Sequence, residues 1–123
     1  MPRKTLFLPG AGGSPLFWKP VADRLPDEWE KVLLAWPGLG NQPHDPNITS
    51  INDLIARVES HIDEPVNLVA QSMGGVIAAR IALTHPEMVN RLVLVATSAG
   101  VNMEQFGASD WRPDYLRAFP HSN

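Results

Sequence analysis

The 123-residue sequence contains no cysteine. This absence excludes disulfides, thiolate metal ligands and a cysteine nucleophile. The sequence also lacks any apolar run near the roughly 18–20 residues that a membrane-spanning helix needs. The apolar stretch that follows the first few residues is shorter than the core of a secretory signal. We therefore expect a cytoplasmic protein with no membrane partner.

The chain has little excess charge of either sign, since ten basic and thirteen acidic residues give a net charge of −3. The basic residues are scattered and form no stripe, so a nucleic-acid partner is not expected. No cluster with metal-ligand spacing and no motif for an organic cofactor is visible, and we expect neither kind of group. The hydrophobic content of 44% is sufficient for the core of one domain.

Short apolar runs alternate with segments of helical periodicity along most of the chain. The predicted strands are residues 4–8, 31–36, 65–70 and 91–97, and the predicted helices are 17–25, 51–62 (capped by Thr49 or Ser50) and 74–84. Strands that are apolar along nearly their whole length, in β-α-β-α-β-α-β order, are typical of a parallel sheet with helices on both faces. The sequence therefore predicts an α/β fold. After Thr97 the periodicity fades, and at best short helices are expected.

A serine stands between the third predicted strand and the helix that follows it, in the segment 68–75. A tight strand-to-helix turn would hold Ser72 in strained backbone geometry, with its hydroxyl at the carboxyl end of the sheet. Such a turn needs small residues two positions before and after the serine, and Ala70 and Gly74 stand there. Serine also commonly caps helices. The complete pattern favours a nucleophile at Ser72 over a cap.

A second glycine-rich turn follows the first strand, at residues 8–14. Glycines at a strand end let backbone N–H groups point into a cleft, although a merely flexible turn is the alternative. A dinucleotide-binding motif would need a glycine where Pro15 stands, and no P-loop lysine follows. We predict an oxyanion loop. The candidate site residues, which all lie at these two turns, are Ser72 as the nucleophile, the amides of Ala11 and Met73 as oxyanion donors, and Gly10, Gly12 and Gln71 as substrate contacts.

Four motifs in this order resemble the α/β-hydrolase superfamily: Leu-Pro-Gly-Ala-Gly-Gly, Trp-Pro-Gly-Leu-Gly, Ala-Gln-Ser-Met-Gly-Gly and Ala-Leu-Thr-His-Pro-Glu. Within it, the chain is most similar to the small carboxylesterases that include the pimeloyl-carrier-protein methyl esterases. It departs from their usual pattern at Pro9, Ala35 and Ala70, where histidine, aspartate and glycine are common. The resemblance implies that the four strands are the family's third to sixth, in spatial order 4-3-5-6. Residues 1–100 would then be the N-terminal part of the core, and 101–123 the start of a cap.

The resemblance also implies a triad in the chain order serine, acid, histidine, with the histidine after the last strand. The acid and the histidine are therefore expected beyond Asn123, and this truncated chain alone is expected to have little or no esterase activity. None of the histidines present is predicted to act as the base, although the loop of His44 could approach the cleft; they are His44, His61, His85 and His121. The cap segment would contain Asp110 and Asp114, with Trp111, Tyr115 and Phe119 lining a substrate tunnel.

The function expected of the parent protein is that of a serine hydrolase acting on a small acyl ester. Two alternatives stay open: a non-catalytic fragment or interaction module, and a carbon–carbon bond hydrolase or lyase on the same scaffold. The last predicted strand and the strand around Leu33 would form apolar sheet edges, which recruit other chains. We therefore expect a homo-oligomer or a strand-exchanged dimer.

Overall fold

Four parallel strands form a single sheet in a computed structural model of the chain, which describes residues 4–110, 112–118 and 120. The strands are β1 (Thr5–Leu8), β2 (Lys31–Leu33), β3 (Val66–Gln71) and β4 (Val89–Val95). Their spatial order is β2-β1-β3-β4, and every neighbouring pair is parallel. This order confirms the predicted α/β class and the predicted partial α/β-hydrolase topology.

Three helices connect the strands and lie on both faces of the sheet, and a fourth follows β4. They are α1 (Lys19–Ala22), α2 (Ile51–Glu59), α3 (Met73–Thr84) and α4 (Arg112–Ala118), with short 3-10 turns at Pro15–Trp18, Pro86–Met88 and Met103–Phe106. None of the helices among the described residues is long and apolar enough to cross a membrane.

The alternation of side chains along β1 separates the core into two layers. Leu6 and Leu8 face the side that α2 and α3 cover, where they pack with residues such as Ile77. Phe7 points to the opposite face and packs against Trp18 and Ala22. Because successive residues of a strand point to opposite faces, one apolar run can fill both layers. All four residues of β1 are therefore buried.

The first predicted helix differs from the structure. In place of a continuous helix over residues 17–25, a 3-10 turn at Pro15–Trp18 leads into the single turn of α1. Pro20 explains this difference, because it has no N–H to donate to the carbonyl of Leu16 as an α-helix would require. Trp18 and Ala22 are buried, whereas Val21, which lies on the same side in an ideal helix, is exposed.

Helix α2 begins at the predicted cap. The hydroxyl of Ser50 accepts a hydrogen bond from the backbone N–H of Asp53 at 3.3 Å. The carboxylate of Asp53 in turn accepts from the backbone N–H and the hydroxyl of Thr49, at 2.8 and 3.0 Å, and these bonds lower the pKa of Asp53. Ile51 is 43% exposed, and the buried side of α2 begins one turn into the helix, at Leu54.

Strand β4 is the exposed edge of the sheet. Both its start and its end lie two residues earlier than predicted from the sequence. Its residues from Asn90 onward are all exposed. Within the described part of the chain it pairs only with β3. After a partly buried stretch at residues 97–99, the segment from Gly100 onward, including α4, is also exposed wherever its side chains are described. An apolar sheet edge was predicted here from sequence, and the structure contains one.

Candidate active site

Ser72 connects the end of β3 to the start of α3 in an unusual backbone conformation. Its φ is 53° and its ψ is −121°. Few non-glycine residues in the described part of the chain have a positive φ. A side chain held in such a region costs on the order of 1–3 kcal/mol and persists only where the surrounding structure enforces it. The Ser72 side chain makes no capping hydrogen bond to α3. Its hydroxyl is therefore not used to begin the helix.

The glycines after Ser72 allow α3 to pack very close to the sheet. A Cβ atom on Gly74 would lie 2.5 Å from the carbonyl oxygen of Pro9 and 2.7 Å from that of Leu8. A Cβ on Gly75 would lie 2.5 Å from Cγ2 of Thr97. At Gly74 the backbone carbonyls thus leave no room for a larger residue, in agreement with the sequence prediction that this turn requires small ones, and at Gly75 a larger residue would displace Thr97.

The glycine turn, residues 10–13, lies directly beside Ser72. The turn is closed by a hydrogen bond of 3.0 Å from the Gly13 N–H to the Gly10 carbonyl oxygen. A Cβ on Gly10 would lie 3.2 Å from Cβ of Ser72 and 2.6 Å from Oε1 of Gln71. Because β1 and β3 are adjacent and parallel, their carboxyl ends bring the two turns to the same edge of the sheet, where open α/β sheets bind ligands.

Two backbone amides at these turns are available as donors. Among the described residues, neither the Ala11 amide nor the Met73 amide donates a hydrogen bond. Met73 is the first residue of α3, where N–H groups have no acceptor within the helix and the helix dipole favours negative charge. Ala11 and Gly12 are exposed at the outer side of the turn. The arrangement can therefore accommodate an anion near Ser72.

Two buried tryptophans, which the sequence analysis did not single out as functional, hold the chain leading into the glycine turn. The indole N–H of Trp18 donates to the carbonyl oxygen of Leu8 at 3.0 Å, and that of Trp36 donates to Pro9 at 2.8 Å. A buried indole N–H usually finds a partner, so the composition signalled that such bonds would exist. The acceptors lie 10 and 27 residues away in sequence, and no local pattern identifies them.

An open cleft of about 490 Å³ adjoins the site. It is lined by Met73, by Leu39 of the loop that contacts Gly13, and by Ile48 before α2. His44 lies in its wall and is exposed. Within the described residues, no histidine side chain makes a hydrogen bond to Ser72. His44 is thus near the predicted cleft but is not placed as a base for the serine.

Neither of the other two described histidines contacts Ser72. His85 ends α3, at the opposite end of the helix from Ser72, and its Nε2 lies 2.8 Å from Oε2 of Glu59. His61 is partly buried just beyond α2. His121 lies outside the described residues.

The two aspartates after β4 are each paired with an arginine. Arg112 contacts both carboxylate oxygens of Asp110, with distances of 2.9 Å from Nε and 3.0 Å from Nη2, and its hydrogen bonds lower the pKa of Asp110. Asp114 forms an ion pair with Arg117 in α4. Trp111 and Phe119, predicted as tunnel residues, lie outside the described residues, as does the side chain of Tyr115.

Comparisons with known proteins place the chain in a family. The family model described as "alpha/beta hydrolase fold" matches residues 6–123. The chain therefore belongs to the α/β-hydrolase family, as its motifs predicted. A solved structure of Paleococcus ferrophilus monoacylglycerol lipase has the same fold, with a TM-score of 0.68 at 18% identity over 96% of this chain and 46% of that chain.

Curated relatives agree with the predicted resemblance to small esterases. The chain is 32% identical to a pimeloyl-[acyl-carrier protein] methyl ester esterase of Yersinia pestis over 120 residues, 94% of this chain and 44% of the relative. It is 31% identical to the enzyme of that name from Aeromonas hydrophila over 94 residues, 76% of this chain and 37% of the relative. The chain thus spans less than half the length of the curated relatives it matches.

Proposed function

We propose that Ser72 is the nucleophile of a serine hydrolase that acts on a small carboxylic ester. The observation that carries this proposal is the backbone of Ser72, whose positive φ is combined with a hydroxyl that makes no capping bond. Strain of this kind tends to persist at functional sites, where it positions a reacting atom. The strand–serine–helix turn with crowding glycines is what a nucleophile elbow requires. The esterase names of the curated relatives support the same chemistry.

The amides of Ala11 and Met73 would stabilise the oxyanion that forms when Ser72 attacks the ester carbonyl. Both lie at the turns flanking Ser72, and neither donates a hydrogen bond within the described residues. Preorganised N–H donors at the developing charge are worth about 10²–10³ in turnover each. Gly10, Gly12 and Gln71 complete the proposed substrate contacts. The small-molecule ester would approach from the open cleft beside Met73.

A serine hydroxyl needs a base and an orienting acid, and the described residues bring neither to Ser72. We propose that both come from the part of the protein that corresponds to the remainder of its longer relatives. Loss of the histidine from a comparable triad lowers turnover by about six orders of magnitude. The 123-residue polypeptide on its own should therefore hydrolyse activated esters only marginally.

Labelling with a fluorophosphonate probe tests the proposal, because the probe reacts only with an activated serine. The protein expressed from its complete reading frame should be labelled at Ser72, and Ser72→Ala should abolish labelling. Ser60→Ala is the matched control, since Ser60 lies beyond α2 with its hydroxyl bonded to Arg57, and it should leave labelling unchanged. The 123-residue polypeptide should not be labelled.

A non-catalytic interaction module is the second candidate, and the lack of a base at Ser72 among the described residues favours it. It predicts no labelling of Ser72 in either polypeptide. Labelling without ester hydrolysis would instead redirect the search to other acyl or carbon–carbon bond substrates on the same scaffold.

A further inference from the structure

Trp36 is fully buried and lies at the point where the chain leaves β2. Its indole N–H donates a 2.8 Å hydrogen bond to the carbonyl oxygen of Pro9, the last residue before the glycine turn. Pro9 is itself among the fully buried residues. A buried carbonyl that loses such a donor has no water to replace it, so this bond strongly favours one orientation of the Pro9–Gly10 peptide.

The same residue also bonds the other end of the turn. The backbone N–H of Trp36 donates to the carbonyl oxygen of Gly13 at 3.1 Å. One residue therefore holds both the entry and the exit of the glycine turn, through a side-chain donor at Pro9 and a main-chain donor at Gly13. Trp18 makes a comparable indole bond one residue earlier, at Leu8, which lies within β1 and not in the turn.

The orientation of the turn determines where the Ala11 amide points. The Gly10 carbonyl accepts the hydrogen bond that closes the turn. Because the peptide group is planar and trans, the Ala11 N–H points away from that carbonyl oxygen. Gly10 also packs against Ser72, so a rotation of the turn would move the amide relative to the serine.

We propose that Trp36 is a positioning residue, which fixes the glycine turn so that the Ala11 amide is held beside Ser72. The catalytic meaning of this inference rests on the proposed serine hydrolase. The hydrogen bonds of Trp36 do not depend on that proposal. They predict a locally rigid turn whether or not Ser72 reacts. Trp36→Phe keeps most of the apolar side chain and removes only the indole donor.

Amide hydrogen exchange measures that rigidity directly. In Trp36→Phe, the amide of Gly13 should exchange at least about tenfold faster, while the amides of β3 keep their rates. Trp29→Phe is the matched control, because the Trp29 indole makes no hydrogen bond among the described residues, and it should leave Gly13 unchanged. Unchanged exchange of Gly13 in Trp36→Phe, or an equal acceleration of all amides, would overturn the inference.

Two further measurements complete the test. In the native protein, the indole N–H of Trp36 should exchange at least about tenfold more slowly than that of Trp29. Equal rates would contradict a held Pro9 carbonyl, so this comparison keeps the inference open to refutation even where Trp36→Phe does not fold.

In the protein from the complete reading frame, Trp36→Phe should lower kcat for an aryl ester roughly tenfold to a hundredfold without raising KM, because a misplaced donor weakens only the transition state. A raised KM with unchanged kcat would assign Trp36 to substrate binding and refute the positioning role. Absence of Ser72 labelling in the native protein would refute the proposed function separately, while the exchange rates would still decide the rigidity.

Discussion

Strands β1 and β4 both lie beside β3, run parallel to it and consist largely of apolar residues, yet their environments differ. Every residue of β1 is buried, whereas β4 is exposed from Asn90 to its end, with Val93 at 47%. β1 has a strand on each edge and helices on both faces, while β4 has one neighbouring strand among the described residues. An apolar run therefore specifies a strand, but its neighbours decide whether that strand is buried.

The same contrast extends to the candidate site. Ser72 begins where β3 ends, and its N–H donates to the carbonyl oxygen of Val95 at 3.0 Å, so its backbone is held partly by the exposed strand. The glycine turn, in contrast, is held by Trp36 from within the buried half of the molecule. The proposed nucleophile thus lies at the boundary between a well-packed region and an exposed one.

The largest expected effect is on the free energy of unfolding, when a leucine side chain is truncated on each side of this boundary. Leu68 of β3 is completely buried, and Leu68→Ala should lower the free energy of unfolding by about 2–5 kcal/mol, because it loses buried apolar surface and leaves a cavity. Leu94 of β4 is 39% exposed, and Leu94→Ala should cost about 1 kcal/mol or less. Urea unfolding of both variants, with unchanged m-values, checks the difference. Equal losses would show that β4 is covered in solution.

The strand order could be predicted because four motifs in order resemble the α/β-hydrolase family, which implies that order. The position of Ser72 could be predicted because its pattern lies close together in the chain. The pattern around Ser72 predicted strain at this residue, and the structure has φ at 53°. The hydrogen bonds of Trp36 could not be predicted, since their acceptors lie in a distant turn. The early end of β2 has the same cause, because the Trp36 N–H bonds to Gly13 and not to β1.

The second prediction compares two neighbouring glycines at the start of α3. Gly74→Ala should destabilise the protein by roughly 1–3 kcal/mol, since the new methyl group would meet the backbone carbonyl oxygens of Leu8 and Pro9 in the buried half. Gly75→Ala should cost clearly less. Its methyl group would meet Cγ2, Oγ1 and Cβ of Thr97 at 2.5–2.7 Å, so the segment after β4 would have to move, and we expect this partly buried segment to move more readily than β1.

Thermal unfolding of the two variants measures this difference, and their identical change in helix propensity cancels in the comparison. If Gly75→Ala proved as costly as Gly74→Ala, the segment around Thr97 would be as rigid as β1. The distinction between the buried and exposed regions would then not extend to the candidate site.

The smallest effect concerns the free edge of β4, which we expect to associate with a second copy of the chain. An antiparallel pair centred on Val93 would place Leu92 of each copy opposite Leu94 of the other, and Arg91 opposite Val95, so no like charges would meet. A lysine on an exposed edge opposes such pairing. Val93→Lys should therefore weaken self-association about tenfold, or ~1.4 kcal/mol.

Sedimentation equilibrium over a range of concentrations gives the association constant of each variant. Leu83→Lys adds the same charge at an apolar side chain that is 81% exposed and belongs to α3 and not to a strand, so it should leave association unchanged. A loss of association in both variants would point to nonspecific apolar contacts over the surface. A native chain that stays monomeric at high concentration would contradict the expected pairing and would mean that a sheet edge with four exposed apolar side chains is not sufficient for it.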